Sequence, residues 1–335
     1  MNPFKENGQI LPIASINSVY VEDYLAIDIF RPQLLIESII DKRDVLMISK
    51  DVGDDQILFV FNDCLTNENR QVSAVAVDIA KEYGKRLASV IVTLKNPSIL
   101  SKKNRPEWQT AHWDFWRKVE KLYLVGGLTS PILTSIFYQE INNALIEERI
   151  ANFSVAFIEG SSDLGTKGLT TLVDDGEFLL FDFGQTNIKR RHLIKQNNEI
   201  VIDMVLGSIK SDYLFYKNKS VQEINEIARE LDRYIQEIIL TTMKEVNFIG
   251  KTILISIANY VNNGMIYSAR GGYGKLAYLT GNYQNHLEKS LSKVMNNQFS
   301  VKLFHDTSAM ALNFKNEKCT AVISLGTAFG VAFPE

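Results

Sequence analysis

A chain of 335 residues has room for two domains of ordinary size, and 46% hydrophobic content supplies a core for each. With 36 basic against 39 acidic residues there is no field of one sign, which argues against a nucleic-acid or anionic-membrane binder that works by overall charge. Two cysteines, Cys64 and Cys319, cannot build a disulfide framework or a cysteine-rich zinc site, so a reducing cytoplasm is expected.

The stretch Met1-Asn2-Pro3-Phe4-Lys5-Glu6-Asn7-Gly8 lacks the apolar core and small-residue cleavage site of an export signal. No apolar run reaches the roughly 18 residues of a membrane span, so a soluble chain is expected. Apolar runs of strand length alternate with segments of helical period, the pattern of an α/β protein. Gln56 to Phe61 reads as the first strand. Val75, Ile79, Tyr83, Leu87 and Ile91 then recur at helical steps in a stretch without proline. Ser101 to Lys118 interrupts with Lys102, Lys103, Asn104, Arg105 and Pro106, then Trp108, Trp113 and Trp116. That segment fits an irregular insertion whose rings cover a core edge, or a partner interface, since exposed aromatics beside arginine favour binding hot spots.

Strands follow at Lys121 to Val125 and Ser154 to Ile158. The polar Val173-Asp174-Asp175-Gly176-Glu177 reads as a turn or linker and marks a domain boundary. Phe178 to Phe183 is the next strand. Ser220 and Glu223 have capping-box spacing, and Ile224, Ile227, Ala228, Leu231, Ile235, Ile238 and Ile239 form one apolar stripe behind them. Thr252 to Ala258, Val301 to Phe304 and Thr320 to Leu325 complete the strands, with an amphipathic segment through Leu287, Leu291 and Val294. Several of these strands end in Gly, Asp or Asn, and open α/β sheets bind ligands at their carboxyl ends.

Four strand ends carry the chemistry. Asp182-Phe183-Gly184-Gln185-Thr186-Asn187 is a turn able to aim backbone N–H groups and a hydroxyl at phosphate oxygens, with Asp182 able to hold hydrated magnesium; a plain β-turn fits as well. Leu325-Gly326-Thr327-Ala328-Phe329-Gly330 allows close backbone approach to a polyanion. Val125-Gly126-Gly127-Leu128-Thr129-Ser130 leaves room for a flat nucleoside, and Ser130 with Pro131 also reads as a helix start. In Phe304-His305-Asp306-Thr307-Ser308-Ala309, Asp306 either positions itself as a general base against a substrate hydroxyl or caps a helix.

Together these segments resemble the ROK family of sugar kinases, within the hexokinase, Hsp70 and actin superfamily. Its first loop reads Asp-x-Gly-Gly-Thr-Asn or Lys, its catalytic segment Asn-Asp-x-Asn-Ala-Ala-Ala-Leu, its second loop Gly-Thr-Gly-x-Gly, and its adenosine segment Gly-Gly plus a small polar residue. The family order is restored when the chain is rotated to begin near Phe178, which implies a circular permutation. Tyr83-Gly84-Lys85-Arg86-Leu87-Ala88 then resembles the helix before the adenosine strand, and Gly160 to Leu169 the closing segment. The resemblance covers the larger part of the chain and is weakest over residues 1–70 and 190–215.

The resemblance implies a two-domain actin-like (ribonuclease-H-like) ATPase fold. Residues 176–316 would form the first-half domain, and 1–175 plus 317–335 the nucleotide-side one. It further implies ATP and Mg2+, Asp306 as base, and Asp182 toward magnesium through water. Gly184, Gln185, Thr186, Asn187, Gly326 and Thr327 would surround the phosphates, and Gly126 and Gly127 the adenosine. His305 and Asn259 are substrate-side candidates. The expected partner is a small sugar-like molecule and at most a second copy of the chain, with no nucleic acid and no membrane.

The sequence departs from the family at Gln185 and Ala328, both glycines there, and at His305, where the family has a sugar-binding Asn. Its Glu-x-Gly-His sugar motif and cysteine-rich zinc segment have no counterpart, so glucose is not implied. Lys189 reads equally as a phosphate contact or a solvated residue. Gly271-Gly272-Tyr273-Gly274-Lys275 lacks the spacing of a Walker loop and reads as a flexible turn toward substrate. A non-catalytic nucleotide or sugar sensor, or an assembly protein, fits the same cleft, as does a phosphohydrolase.

Overall fold

The computed structural model describes residues 2–211, 220–267 and 271–334. In chain order its main elements begin with helices α1 (Asp54–Leu65), α2 (Arg70–Lys95) and α3 (Thr110–Lys118), followed by β1 (Lys121–Val125), α4 (Pro131–Glu147) and β2 (Ser154–Phe157). The short α5 (Leu164–Leu169) leads into a meander of β3 (Gly176–Phe183), β4 (Asn187–Gln196) and β5 (Glu199–Lys210). Then come α6 (Val221–Glu245), β6 (Thr252–Ile257), α7 (Tyr283–Met295), β7 (Ser300–His305), α8 (Asp306–Ala311) and the hairpin β8 (Thr320–Leu325) to β9 (Phe329–Ala332).

The structure is mixed α/β, built on a five-stranded sheet of order β7-β6-β3-β4-β5 and a four-stranded sheet of order β9-β8-β1-β2. Both follow one plan. A strand (β3 or β8) has its antiparallel hairpin mate on one side and two parallel strands on the other.

Side-chain alternation along the strands divides the cores. Leu179, Phe181 and Phe183 of β3 face outward and pack with Leu231, Ile235 and Ile239 of α6 and Leu287 and Leu291 of α7. Phe178 and Leu180 face the other way, toward Leu169 of α5 and Ala309 of α8. In the other sheet Leu122, Leu124, Ala321 and Ile323 join the large cluster under α2, α3 and α4, whereas Tyr123, Val125 and Val322 meet Leu164 of α5 and Met310 of α8. Thus α5 and α8 lie between the two sheets. A Cβ at Gly168 would overlap the Ala309 carbonyl oxygen, so the crossing of α5 over α8 requires glycine there. Each fully buried Leu, Ile or Phe in these layers contributes about 1.5–3 kcal/mol relative to exposure.

Start signals behave as their chemistry dictates. The Ser220 hydroxyl accepts from Glu223 N at 3.3 Å, and the Glu223 carboxylate accepts from Ser220 N at 2.7 Å, a complete capping box for α6. Four expectations are corrected. Gln56 to Phe61 is helix, not strand: Ile57, Phe61, Cys64 and Leu65 are buried at helical spacing while Phe59 points to solvent. The tryptophan segment is helical at Ile99–Lys103 and in α3 with an irregular stretch at 104–109 between them, and its rings, 1–3% exposed, cover the core as the first reading has it, so the exposed aromatics expected of a partner interface are not there. Val294 lies on the open face of α7. Tyr273–Tyr278 is a 3-10 helix rather than a loose turn. Among the described residues no helix is long and apolar enough to cross a membrane.

Candidate functional site

Register brings the candidate residues together. Ser256 of β6 lies beside Asp182 of β3 and Phe304 of β7, and Ile257 beside Phe183 and His305. These strands end level, so the chain leaves them at Gly184, Ala258 and Asp306 along one edge. In the other sheet Ser324 is paired with Val125, which sets Gly126 against the end of β8. A Cβ on Gly126, whose φ is +112°, would stand 2.9 Å from Leu325 O. The two edges touch where the Thr327 hydroxyl donates to the side-chain oxygen of Gln185.

Asp182 is 1% exposed and accepts the Ser256 hydroxyl at 2.8 Å and the Lys189 ammonium at 3.2 Å. A Cβ at Gly165 would meet its carboxyl carbon at 2.8 Å, so α5 packs directly on this acid. The turn after it is held from behind. Gly184 N bonds Asp182 O at 3.0 Å, and Gly184 O accepts the Ser211 hydroxyl at 2.9 Å and the Tyr273 phenol at 3.1 Å. Burial pushes the Tyr273 phenol up, which keeps it a donor. Ser211 N bonds Thr186 O at 3.0 Å. Among the described residues the amides of Gln185, Thr186, Gly326, Thr327 and Ala328 make no hydrogen bond, the condition for a backbone anion cradle.

Asp306 opens α8 and keeps 22% of its side-chain surface open. Burial, then the charge of Asp182, push its carboxyl up to about 7, against the pull of the Thr307 N–H, the Thr307 hydroxyl and Lys189. His305, 5% exposed, is the N-cap: its Nδ1 accepts from Ser308 N at 3.3 Å. That acceptor role puts the ring proton on Nε2, which stands 3.2 Å from Asp306 Oδ1. Burial lowers the imidazole to about 3, so it stays neutral, and its ring stacks on Tyr260 at 4.7 Å. Both nitrogens face protein atoms, so the substrate contact expected of His305 has no open nitrogen. Asn259 is buried just beyond β6, on the same edge.

At the other edge the polar groups are small. Gly126 N donates to the Ser161 hydroxyl at 2.8 Å, and the Thr129 hydroxyl donates to Gly126 O at 2.8 Å. No atom lies within 4 Å of a Cβ built on Gly127, which leaves open space over the backbone there. Ser130 occupies the N-cap of α4, but its hydroxyl donates to Asn62 at 2.6 Å instead of capping. The second loop is gripped by Asn17, whose amide bonds Phe329 O at 2.8 Å and Phe329 N at 2.9 Å. Arg105 holds that segment through Ser15 O at 2.7 Å and the Ser18 hydroxyl at 2.8 Å, and it stacks on Trp108 at 4.2 Å. The tryptophan segment is therefore a buttress for the second loop.

Sequence reasoning missed the groups that fix the site from behind: Asn17, Ser211, Ser256, Tyr273 and Ser324. The one readable signal was a lone hydroxyl, Ser256, inside the apolar run Ile253 to Ile257. Compared with family models and with curated proteins, the chain matches none.

Proposed function

We propose that the chain is an ATP-dependent phosphotransferase acting on a hydroxyl of a sugar or sugar-like small molecule, on a circularly permuted actin-like, ribonuclease-H-like fold. One observation carries the reading. A carboxylate with its pKa pushed up to about 7, Asp306, stands partly open at the strand-end edge where the loops of both sheets meet. The shared plan of the two sheets, with α5 and α8 between them, supports two related halves, 176–316 and 1–175 plus 317–335.

In this reading Asp306 takes the proton of the acceptor hydroxyl as its oxygen bonds to the γ-phosphorus. The bond from that phosphorus to the bridging oxygen breaks, ADP leaves with the electron pair, and Asp306 returns the proton to solvent. The amides of Gln185, Thr186, Gly326, Thr327 and Ala328 cradle the phosphates, and Gly126 and Gly127 give the adenosine an open backbone surface. Catalysis is positioning plus charge stabilisation.

The residues fit magnesium carried in on the nucleotide, not a cage of protein ligands. Both Asp182 oxygens already have partners, Ser256 and Lys189, and the described residues hold no group of three or more His, Cys, Asp or Glu side chains arranged for a metal. Asp182 would meet the ion through water. Bound there, magnesium would neutralise charge on the phosphates.

The sensor reading has one observation in its favour, the Gln185–Thr327 bridge between the two loops. The test is ADP formation with a panel of sugars and sugar acids, for the chain and for Asp306→Asn, beside calorimetric ATP binding. Acceptor-dependent turnover is expected in the parent, falling by about 10²–10⁴ in the variant with ATP binding kept. ATP binding without acceptor-dependent turnover in either protein would sink the kinase and favour a sensor. ATP hydrolysis indifferent to acceptor would favour a phosphohydrolase.

A further inference from the structure

We infer that Thr307 and Ser324 are positioning residues for Asp306: they tie one of its carboxylate oxygens to the hairpin of the opposite sheet, leaving the other oxygen alone to meet the acceptor hydroxyl. The inference rests on Asp306 being the base of the proposed transfer. Its geometry is asymmetric. Oδ1 accepts from Thr307 N at 2.6 Å and from the Thr307 hydroxyl at 3.2 Å, and faces His305 Nε2 at 3.2 Å. Oδ2 has no partner among the described residues.

The chain of hydroxyls has a direction. Ser324 Oγ accepts from Gly330 N at 3.1 Å, and its own single proton is directed to Thr307 Oγ1, 3.1 Å away. Thr307 then spends its proton on Asp306. The relay runs from the β8–β9 hairpin, which carries the second loop, to the base on the other sheet. Thr307 is 0% and Ser324 8% exposed, so neither touches a substrate. A Cβ at Gly330 would overlap both hydroxyl oxygens, so glycine is required for the hairpin to pass this close. A hydrogen bond to a charged group in a water-poor site is stronger than a neutral one, and it fixes the carboxylate rotamer as well as its ionisation.

Other groups act on Asp306 from each neighbouring element: Asp182 from β3, Lys189 from β4 and His305 from β7. All are unchanged in a Thr307 variant. Thr307→Val keeps the shape and the backbone bond to Oδ1 but deletes the hydroxyl, whereas Thr307→Ser restores it. The expected result for Thr307→Val is a kcat lower by about tenfold with KM for ATP and acceptor within about twofold, and recovery in Thr307→Ser. Ser324→Ala is expected to act in the same direction more weakly, and serves if Thr307→Val does not fold.

A second readout needs no turnover. The carboxyl carbon of Asp306, assigned by its loss in Asp306→Asn, is titrated by NMR. Its midpoint should rise when the Thr307 hydroxyl is removed and return with serine. An unchanged midpoint and unchanged kcat in Thr307→Val, or a loss confined to KM, would overturn the inference. Should the parent show no turnover with any acceptor, the kinase reading falls and the titration alone decides the relay.

Discussion

The two edges that meet at Gln185 and Thr327 are built from different chemistry. The five-stranded sheet ends in charged and amide groups, Asp182, Lys189, Asn259 and Asp306, each at or near the end of a strand along one edge. The four-stranded sheet ends in glycines and hydroxyls, Gly126, Gly127, Thr129, Ser161, Gly326 and Thr327, with no ionisable side chain among those six. One edge concentrates charge, and burial there raises the Asp306 carboxyl; the other offers backbone and open space. The proposed transfer would use that division, because reactivity and recognition of a flat nucleoside make opposite demands on polarity.

Removing the charge from the first edge should have the largest effect. Beyond its loss of turnover, Asp306→Asn makes a statement about pH. If Asp306 is the base of the proposed transfer it works ionised, so kcat in the parent should climb as pH rises through about 7 and then level off. Stability runs the other way. The folded carboxyl keeps its proton to about 7 whereas the ordinary value is 3.8, so between these the native state binds more protons and stability falls as pH rises. Asp306→Asn removes that penalty. Its stability should match the parent's near pH 4 and exceed it above pH 7 by on the order of 2 kcal/mol given the exposed part of the side chain, read as a higher melting temperature there. A melting difference independent of pH would show that Asp306 is not held as described. His305 contributes with opposite sign in both proteins: lowered from 6.5 to about 3, it favours folding above 6.5, and that stability is lost as pH falls through 3.

The same contrast explains what was legible in sequence. β1, β6 and β8 are mostly apolar runs, as parallel strands buried on both faces should be, and they stand where the pattern places them. β4 was invisible. It carries Lys189, Arg190, Arg191 and His192, and the last three of these are buried against Glu245, Asp163 with Asp203, and Glu177, which other elements supply. No local pattern announces a strand whose charges are satisfied at long range. In α1 the run around Gln56 to Phe61 was too short to tell helix from strand. Asp182 and Asp306 were readable because an acid at the end of an apolar run is unusual. Thr307, Ser324 and Asn17 were not, since small polar residues are common and their partners lie at 17 and 312 positions' remove.

A smaller effect is expected at the glycine edge, where two substitutions separate strain from recognition. Gly126→Ala puts a side chain at φ +112° and 2.9 Å from Leu325 O, and should cost about 1–3 kcal/mol of stability, read as a lower melting temperature. Gly127→Ala meets nothing within 4 Å and should leave melting within about 1 kcal/mol. If a nucleoside lies on that open backbone, Gly127→Ala still weakens ATP binding, by about tenfold in calorimetry, roughly the worth of one displaced contact of 1.4 kcal/mol. Unaltered ATP affinity in Gly127→Ala would remove the adenosine from this edge and dissolve the division of labour between the two sheets.

The smallest expected effect joins the two edges. Gln185 makes one of the contacts between them, beside the buried Thr307–Ser324 pair, and Gln185→Gly deletes it while leaving Asp182, Lys189 and the Tyr273 brace in place. A single hydrogen bond between partly exposed side chains contributes about 0.5–1.5 kcal/mol, and glycine adds chain entropy, so melting should fall slightly. Function discriminates more sharply than stability. If the bridge competes with phosphates for the Thr327 hydroxyl, its removal should tighten ATP binding about threefold while kcat changes little, because Asp306 and its partners are untouched. If Gln185 instead turns its amide onto the phosphate, ATP affinity falls in Gln185→Gly, and the bridge is then a resting contact that the nucleotide replaces with a better one.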